Sequence, residues 1–266
     1  MQLTFTEPLS SKCPIAYIGA KKNLYTRVMD MLPNGTTELV SPFCGGGSLE
    51  LKIAASGIRV KAYDLHPPIA TFYTAFNGQS HEVSDRAHTL DRELASEDLA
   101  RYAQDNGKAW MDIDDPVTQA AVFWICAKNS FNGMGMTTTL YKRRASDYYI
   151  RPEWRNWRNP NFSCGNQTWA DTLKQHPDSI LYCDPPYVKK STIYGFKGGQ
   201  PEFEHEAFRD ALAAHRGAWI CSYGPHPLIE ELYADFNIRH LQWHFSSRNQ
   251  SGDGNLLGDE LLISNF

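Results

Sequence analysis

The strongest chemical signal in this sequence is YCDPPYV at residues 182–188, directly after an apolar run. Proline has no backbone N–H, so Pro185 and Pro186 cannot join a strand ladder as donors, and the turn leaves carbonyl groups free. The Asp184 carboxylate and the Pro185 carbonyl can then accept from one planar exocyclic amine, while Tyr187 faces its ring. A base held outside its stack can be read in this way. A plain Pro-Pro turn capped by aspartate is the alternative, which the preceding strand and the adjoining tyrosine disfavour.

A second signal, SPFCGGGSLEL at 41–51, joins an apolar run to a helical one through three consecutive glycines. Such a turn lets the backbone approach a nucleotide-like ligand closely, because glycine has no side chain. Asp64 ends the next apolar run, where an acid can hydrogen-bond ribose hydroxyls. Glu50 replaces the third glycine of the dinucleotide fingerprint, which favours a nucleoside cofactor over NAD. A tight turn that needs glycine for its own geometry is the other interpretation.

A third, weaker signal is YIGAKKNL at 17–24, which combines an aromatic residue, a glycine and Lys21. It precedes the predicted helix KKNLYTRVMDML, whose first amides can meet a carboxylate. Lysines at helix starts are common and usually solvated, so this segment gains meaning only together with the other two.

The predicted elements that position these residues alternate between strand and helix, as in an α/β protein. Runs at 38–43 and 60–64 predict buried strands, and SLELKIAAS between them predicts a helix with Ser48 as its N-cap. This is a βαβ unit. The runs at 180–184 and 218–223 predict two further strands around the helical stretch EHEAFRDALAAH, and IRHLQWHF and ELLISNF predict the last two.

The middle of the chain breaks this pattern. Apolar residues recur at helical spacing over 81–110, an apolar helix follows, and residues 141–158 mix basic and aromatic side chains. We therefore predict a domain built from 1–75 and 160–266, with an insertion at 76–159.

The basic aromatic stretch has a physical use. Its cations can neutralise nucleic-acid phosphates, and its tyrosines and tryptophans can stack on bases. A folded hairpin with core tryptophans and solvated arginines is the alternative. The cations that we expect to contact DNA are Lys142, Arg143, Arg144, Arg151 and Arg155.

Composition excludes several classes of protein. The chain has 266 residues, 42% of them hydrophobic and 21% charged, with a net charge of −4. The longest apolar run, 120–127, is far shorter than the roughly 20 residues that span a bilayer, and no secretory signal is visible. Six cysteines without a C-x-x-C pair are typical of reduced thiols in a cytoplasmic protein, and no metal is expected.

The order of the three signals carries a resemblance. Aromatic-x-G-x-K, then P-F-x-G-x-G-S, then D-P-P-Y resembles the alpha group of DNA adenine-N6 methyltransferases, the Dam-type enzymes. The resemblance implies a Rossmann-like class I methyltransferase sheet with a reversed last strand and a target-recognition insertion before D-P-P-Y. It also implies methyl transfer from S-adenosylmethionine to the N6 amine of adenine in double-stranded DNA, with base flipping. No membrane association is expected, because the apolar runs are too short.

The resemblance also assigns roles to individual residues. It places cofactor contacts at Tyr17 and Lys21, the ribose at Asp64, and the cofactor loop at Phe43, Gly45 and Gly47. The D-P-P-Y residues are expected to bind the target: Asp184 at the junction of cofactor and amine, Pro185 as the second acceptor, and Tyr187 under the adenine.

Departures from the family pattern leave the target sequence open. FNG at 131–133 is followed by MGMTTTLYKRR, Asn166 and Gln167 replace an acid and an aromatic, and SYGPHP replaces a Ser-Asn pair. Relaxed specificity is therefore one interpretation. Separately, methyltransferases of this kind often come from phage or restriction systems, so a cognate restriction enzyme is a candidate partner. An RNA base methyltransferase and a non-catalytic nucleic-acid-binding relative remain as alternative functions, and the oligomeric state is not predicted.

Overall fold

The computed structural model describes residues 9–15, 17, 19–103, 108–130, 146–188, 203–244 and 257–266. These residues form a seven-stranded sheet in the order β3-β2-β1-β4-β5-β7-β6. The strands are β1 (Glu38–Ser41), β2 (Arg59–Asp64), β3 (Phe162–Asn166), β4 (Leu181–Cys183), β5 (Trp219–Tyr223), β6 (Asn237–His244) and β7 (Leu257–Ser264).

The direction of the strands fixes where a ligand can bind. β3, β2, β1, β4 and β5 are parallel, and β7 runs antiparallel to both β5 and β6. This topology agrees with the expected methyltransferase sheet and its reversed last strand. β1 lies between β2 and β4, so the winding of the chain changes direction there. Open α/β sheets bind ligands outside the carboxyl ends of the strands at such a switch point.

Helices connect the strands and fill the insertion. The described helices are α1 (Tyr25–Met31), α2 (Glu50–Ala55), α3 (Pro67–Glu93), α4 (Ser96–Ala103), α5 (Lys108–Met111), α6 (Pro116–Asn129), α7 (Pro152–Arg155), α8 (Trp169–Gln175), α9 (His205–Ala214) and α10 (Pro227–Leu232). Single 3-10 turns lie at Lys22–Leu24 and Ser146–Tyr148. Among the described helices, none combines the length and apolar character that crossing a membrane requires.

The expected N-cap at Ser48 is wrong. Helix α2 begins at Glu50, and no side chain caps its first turn. The Ser48 hydroxyl instead accepts a hydrogen bond from the backbone N–H of Lys21, a residue distant in sequence. A serine side chain can bond to any nearby N–H, so its type alone does not determine which one it takes.

Each face of the sheet carries its own hydrophobic cluster. Adjacent strand residues point to opposite faces, and Leu39 accordingly belongs to one cluster while Val40 belongs to the other. Both side chains are fully buried. Burial of one such side chain stabilises the fold by about 1.5 to 3 kcal/mol. The buried strands therefore provide a stable support for the loops at their carboxyl ends.

Aromatic side chains of the insertion pack against one another. Trp124 of α6 lies 5.0 Å from Tyr149 and 5.1 Å from Phe76 between ring centroids, and Phe76 lies 5.3 Å from Trp157. The sequence left open whether these aromatics face DNA or the core, and Tyr149, Trp154 and Trp157 are buried. The boundary proposed at 75–76 lies inside α3, so the division into two units remains a prediction.

An N-terminal strap, residues 9–15, is held by hydrogen bonds from the insertion. The indole N–H of Trp124 donates to the Pro14 carbonyl at 2.9 Å, and that of Trp157 to the Lys12 carbonyl at 3.0 Å. The Asn159 amide donates to the carbonyl of Ser10 at 3.0 Å. The strap leads directly into the segment of Tyr17 and Lys21, and these bonds therefore fix where that segment starts.

Candidate active site

Two loops meet at the carboxyl edge of the sheet. The glycine loop, residues 42–48, leaves β1, and the acceptor turn, residues 184–187, leaves β4. β1 and β4 are adjacent and parallel, with Val40 opposite Leu181. Parallel neighbours end at the same edge, which brings the first two sequence signals side by side.

The glycine loop is shaped so that Tyr17 can pack against it. Gly45 and Gly47 have positive φ angles of 49° and 67°, a backbone region that favours glycine. A Cβ atom on Gly46 would lie only 2.6 Å from the Cβ of Tyr17. The Tyr73 hydroxyl donates to the Gly46 carbonyl at 2.5 Å, which fixes the loop from its other side.

Asp64 fixes the base of the glycine loop. One carboxylate oxygen accepts from the Gly45 N–H at 2.7 Å, and the other accepts from the His66 N–H at 2.8 Å. Burial raises the pKa of Asp64 to about 6, although both N–H groups act in the opposite direction. A carboxylate oxygen accepts more than one hydrogen bond, so Asp64 retains acceptor capacity for a ligand hydroxyl.

Lys21 joins the two loops. Its backbone N–H donates to the Ser48 hydroxyl at 2.9 Å, and its Nζ lies 3.0 Å from an Asp184 carboxylate oxygen. The same ammonium lies 4.7 Å from the centroid of the Tyr187 ring. The third sequence signal therefore contacts both of the others.

Ser222 of β5 supports Asp184 from the neighbouring strand. Its hydroxyl donates to Asp184 Oδ1 at 3.0 Å, and the Tyr187 hydroxyl is 3.2 Å from the same oxygen. Ser222 is completely buried and also lies 3.0 Å from the Tyr182 hydroxyl. Ser222 is not among the site residues predicted from the sequence, although it begins SYGPHP, one of the departures from the family pattern.

Glu260 of β7 is a second carboxylate in the site. It accepts a hydrogen bond from the Tyr187 hydroxyl, and its Oε1 lies 3.7 Å from Lys21 Nζ. The residue is only 6% exposed. The sequence predicted it only as part of the last strand; an acid inside an otherwise apolar strand was the signal available.

The Tyr187 ring is held in place by its neighbours. A Cβ on Gly224 would lie 2.9 Å from the ring, and the Tyr223 ring centroid is 5.8 Å away. Burial raises the pKa of the Tyr187 hydroxyl well above its ordinary value, with further contributions from the negative charges of Asp184 and Glu260. The phenol therefore stays protonated and acts as a donor.

Glu50 is a buried acid below the glycine loop. It accepts a hydrogen bond from the Ser41 hydroxyl at 2.9 Å. Burial raises its pKa to about 7, and the charge of Asp184 adds to the effect. In the sequence this position stands out only because it replaces a glycine.

Cys183 precedes the acceptor turn but is a core residue. It is fully buried, and burial raises the pKa of its thiol. A thiol without access or thiolate character is not a nucleophile. Cys183 is therefore a core thiol.

Phe43 lies at the start of the glycine loop within an aromatic group. Its ring is 5.3 Å from Phe208 and 5.8 Å from Phe203, both edge-on. The side chain is only partly buried. It thus forms an apolar wall beside the carboxyl end of β1.

Two of the predicted DNA-binding cations, Arg151 and Arg155, lie among the described residues, and each contacts side chains of the insertion. Arg155 pairs with Asp85 of α3 at 3.1 Å and contacts His81. The guanidinium of Arg151 lies 5.1 Å from the Tyr148 ring centroid, and Arg151 is exposed. Lys142, Arg143 and Arg144 lie outside the described residues, as does FNG.

Comparison with known proteins identifies a family that matches this chain. Residues 17–246 match the model of the D12 class N6 adenine-specific DNA methyltransferases. A type II methyltransferase of Lactococcus lactis subsp. cremoris is 21% identical, with 94% of each chain covered. A type II methyltransferase of Paramecium bursaria Chlorella virus NC1A is 22% identical over 95% of this chain and 98% of its own. The DNA adenine methylase of Escherichia coli is 25% identical over 68% and 67%.

Proposed function

Since the chain belongs to the D12 class of N6 adenine-specific DNA methyltransferases, we propose that it methylates an extruded adenine between the glycine loop and the acceptor turn. Family membership makes the protein a transferase that acts on adenine in DNA with S-adenosylmethionine as methyl donor. It decides against the RNA methyltransferase and the non-catalytic relative that the sequence left open. The residues of the site and the extrusion of the base are our proposal.

One observation carries this proposal. Lys21 contacts Ser48 in the glycine loop and Asp184 in the acceptor turn, at 2.9 and 3.0 Å. A residue that spans both loops sets a cofactor and an amine against each other. Such positioning can supply much of the rate of a group transfer.

The glycine loop fits a nucleoside cofactor. Positive φ angles at Gly45 and Gly47 favour glycine, so the loop bears no side chain of its own at these positions, and Asp64 offers acceptors for ribose hydroxyls. When bound, S-adenosylmethionine supplies an electrophilic methyl group on a positively charged sulfur. The proposed cofactor-binding residues are Tyr17, Lys21, Phe43, Gly45, Gly47, Asp64 and Asp184.

The acceptor turn fits the target amine. The N6 lone pair of adenine is delocalised into the ring, which makes the amine a poor nucleophile. Asp184 and the Pro185 carbonyl accept from its two N–H groups and orient the lone pair toward the methyl group. A new N–C bond forms as the methyl–sulfur bond breaks, and the N6 proton then passes to Asp184 or to water.

Tyr187 provides the surface for the extruded base. Gly224 and Tyr223 fix its ring, so the aromatic face is already in place before DNA binds. Stacking of a base on an aromatic ring contributes about 1 to 3 kcal/mol, which offsets part of the cost of unstacking.

Double-stranded DNA is the proposed partner, and the cytoplasm of a bacterium or of an infected host is the proposed location. The net charge of −4 gives the whole protein no attraction for a polyanion, so a local basic surface is required. We assign that role to Lys142, Arg143, Arg144, Arg151 and Arg155. A cognate restriction enzyme is a further partner that we propose for this methyltransferase.

The function is tested by methyl transfer from labelled S-adenosylmethionine to unmethylated double-stranded DNA. The product is digested to nucleosides and analysed by mass. We expect N6-methyladenine from the wild type, and a fall in kcat of about a hundredfold or more for Asp184→Asn. Asp235→Asn, an exposed aspartate after α10, is the matched control and should retain wild-type turnover.

The outcomes separate the parts of the proposal. Asp184→Asn with near wild-type turnover would remove Asp184 from the reaction. Sequencing of the product then reports specificity: modification at one short motif means a site-specific enzyme. Modification of most adenines means that base readout is relaxed while the reaction site works.

A further inference from the structure

Glu260 contacts two groups that also contact Asp184. The Tyr187 hydroxyl donates to Glu260 and lies 3.2 Å from Asp184 Oδ1. Lys21 Nζ lies 3.7 Å from Glu260 Oε1 and 3.0 Å from Asp184 Oδ2. Two carboxylates thus share one phenol and one ammonium.

The phenol has a single proton, so it can form a full hydrogen bond with only one of these acids at a time. When Glu260 accepts it, Asp184 Oδ1 holds one remaining donor within the described site, the Ser222 hydroxyl at 3.0 Å. That oxygen then retains a lone pair. An amine that approaches the acceptor turn needs such a free lone pair on Asp184.

The position of the Lys21 ammonium also affects how available the Asp184 carboxylate is to the target amine. A cation paired with Asp184 alone would compete with the incoming amine for the carboxylate. Glu260 also attracts the Lys21 ammonium, which weakens the pairing of Lys21 with Asp184. Its carboxylate lies near the same ammonium and is almost excluded from water. Charges interact more strongly in such surroundings than in solvent.

We propose that Glu260 is a positioning residue for methyl transfer: it takes the Tyr187 hydroxyl and shares Lys21, which leaves Asp184 free to accept the target amine. This inference rests on the proposed role of Asp184. It concerns the last strand of the sheet, which lies apart in sequence from the three motifs. Glu260 acts through Tyr187 and Lys21 and has no assigned contact with the substrate.

The test is Glu260→Gln, which keeps the shape of the side chain and removes its charge. We expect kcat on unmethylated DNA to fall about tenfold or more, because the acceptor for the amine is misplaced or occupied. KM for S-adenosylmethionine should change less than kcat, because Glu260 reaches the proposed cofactor-binding residues through its contact with Lys21. Asp259→Asn, an exposed acid on the same strand, should keep wild-type kinetics.

A double-mutant cycle with Tyr187→Phe separates positioning from a merely structural role. If Glu260 acts through the phenol, the loss of kcat caused by Glu260→Gln should shrink at least about threefold in the Tyr187→Phe background. Equal losses in both backgrounds, or wild-type kcat for Glu260→Gln alone, would overturn the proposal. Should the amide variant fail to fold, Glu260→Asp takes its place in the same cycle under the same criteria.

Asp184→Asn is assayed beside these variants to keep the two proposals apart. An active Asp184→Asn enzyme would refute the proposed site itself. An inactive Asp184→Asn enzyme with an unaffected Glu260→Gln enzyme would refute only the role of Glu260.

Discussion

Two carboxyl groups beside the glycine loop, those of Asp64 and the buried Glu50, make the stability of the protein dependent on pH. Burial raises the pKa of Asp64 from 3.8 to about 6 and that of Glu50 from 4.5 to about 7. Between the ordinary and the raised pKa, the folded protein holds protons that the unfolded chain has lost. The stability contributed by each group is therefore complete at low pH and is lost as the pH rises through this window.

Glu50→Gln tests this at one residue. The amide oxygen still accepts from Ser41, but no charge forms, so the variant should unfold at a higher temperature than the wild type at about pH 8. The difference should amount to about 1 to 3 kcal/mol, since each unit of pKa corresponds to about 1.4 kcal/mol. It should largely vanish at about pH 5, where Glu50 is protonated in the folded state.

Thermal unfolding without cofactor at both pH values is the measurement. Glu230→Gln, an exposed residue of α10, serves as the control and should match the wild type throughout. The same stabilisation of Glu50→Gln at both pH values would contradict an ionisation effect.

Among individual site residues, those within recognisable motifs could be predicted from the sequence. Those that reach the site only because of the folding of distant strands could not. Asp184, Tyr187 and Lys21 stand in recognisable patterns, and the structure brings them into contact. Ser222 and Glu260 reach the same cluster from β5 and β7, strands in which a serine or an acid has no distinctive spacing. Their partners are known only once the order of the strands is known.

Among the elements, the glycine loop and the segment before α1 behave as one unit. Tyr17 covers the loop so closely that Gly46 has no room for a methyl group, and Lys21 is bonded to Ser48. Any displacement of one segment must therefore displace the other. Because Lys21 also reaches Asp184, such a displacement extends to the acceptor turn.

Gly46→Ala should disrupt this unit. The new Cβ would lie 2.6 Å from the Cβ of Tyr17, which is close to the backbone and cannot rotate away. We expect KM for S-adenosylmethionine to rise about tenfold or more, because the loop and its cover must separate. Gly78→Ala, an exposed position in α3 with no atom within 4 Å of its Cβ, is the matched control.

Cofactor titration of both glycine variants checks the prediction. Unchanged cofactor affinity in Gly46→Ala would mean that Tyr17 does not constrain the loop. Weaker cofactor affinity in Gly78→Ala would mean that the effect is not specific to the loop.

Most elements could be predicted because their periodicity reflects burial. The runs at 38–43 and 60–64 became β1 and β2, and the last two predicted strands became β6 and β7. The prediction that Ser48 caps α2 was wrong, because the Ser48 hydroxyl accepts a hydrogen bond from the distant Lys21 N–H. Local sequence rules describe neighbours along the chain, and this bond joins residues brought together by the fold.

For the whole molecule, charge is the main constraint on DNA binding. The net charge is −4, and Arg155 already pairs with Asp85. The sequence counted Arg155 among the DNA contacts because an acid that lies far away in the chain does not appear beside it. Its role toward DNA stays a prediction, whereas Arg151 is exposed.

Replacing Arg143, Arg144 and Arg151 with alanine should weaken DNA binding and flatten its salt dependence. For every phosphate that an arginine no longer neutralises, the slope of log K against log salt should fall by about 0.9. Fluorescence anisotropy over a series of salt concentrations gives that slope. Arg216→Ala, which removes an exposed arginine paired with Asp178, should leave it unchanged. An unaltered slope in the triple variant would place the DNA surface elsewhere.

The N-terminal strap limits how such an enzyme can acquire a new target. Trp124 and Trp157 donate to its carbonyl groups, and the strap then continues to Tyr17 and Lys21. A recognition region transplanted from a relative would arrive without partners for this strap and would loosen the residues nearest the cofactor. Chimaeras that exchange 76–159 together with 9–15 should therefore retain activity better than those that exchange 76–159 alone. Changes of specificity within this architecture are thus expected to involve two separate stretches of the gene.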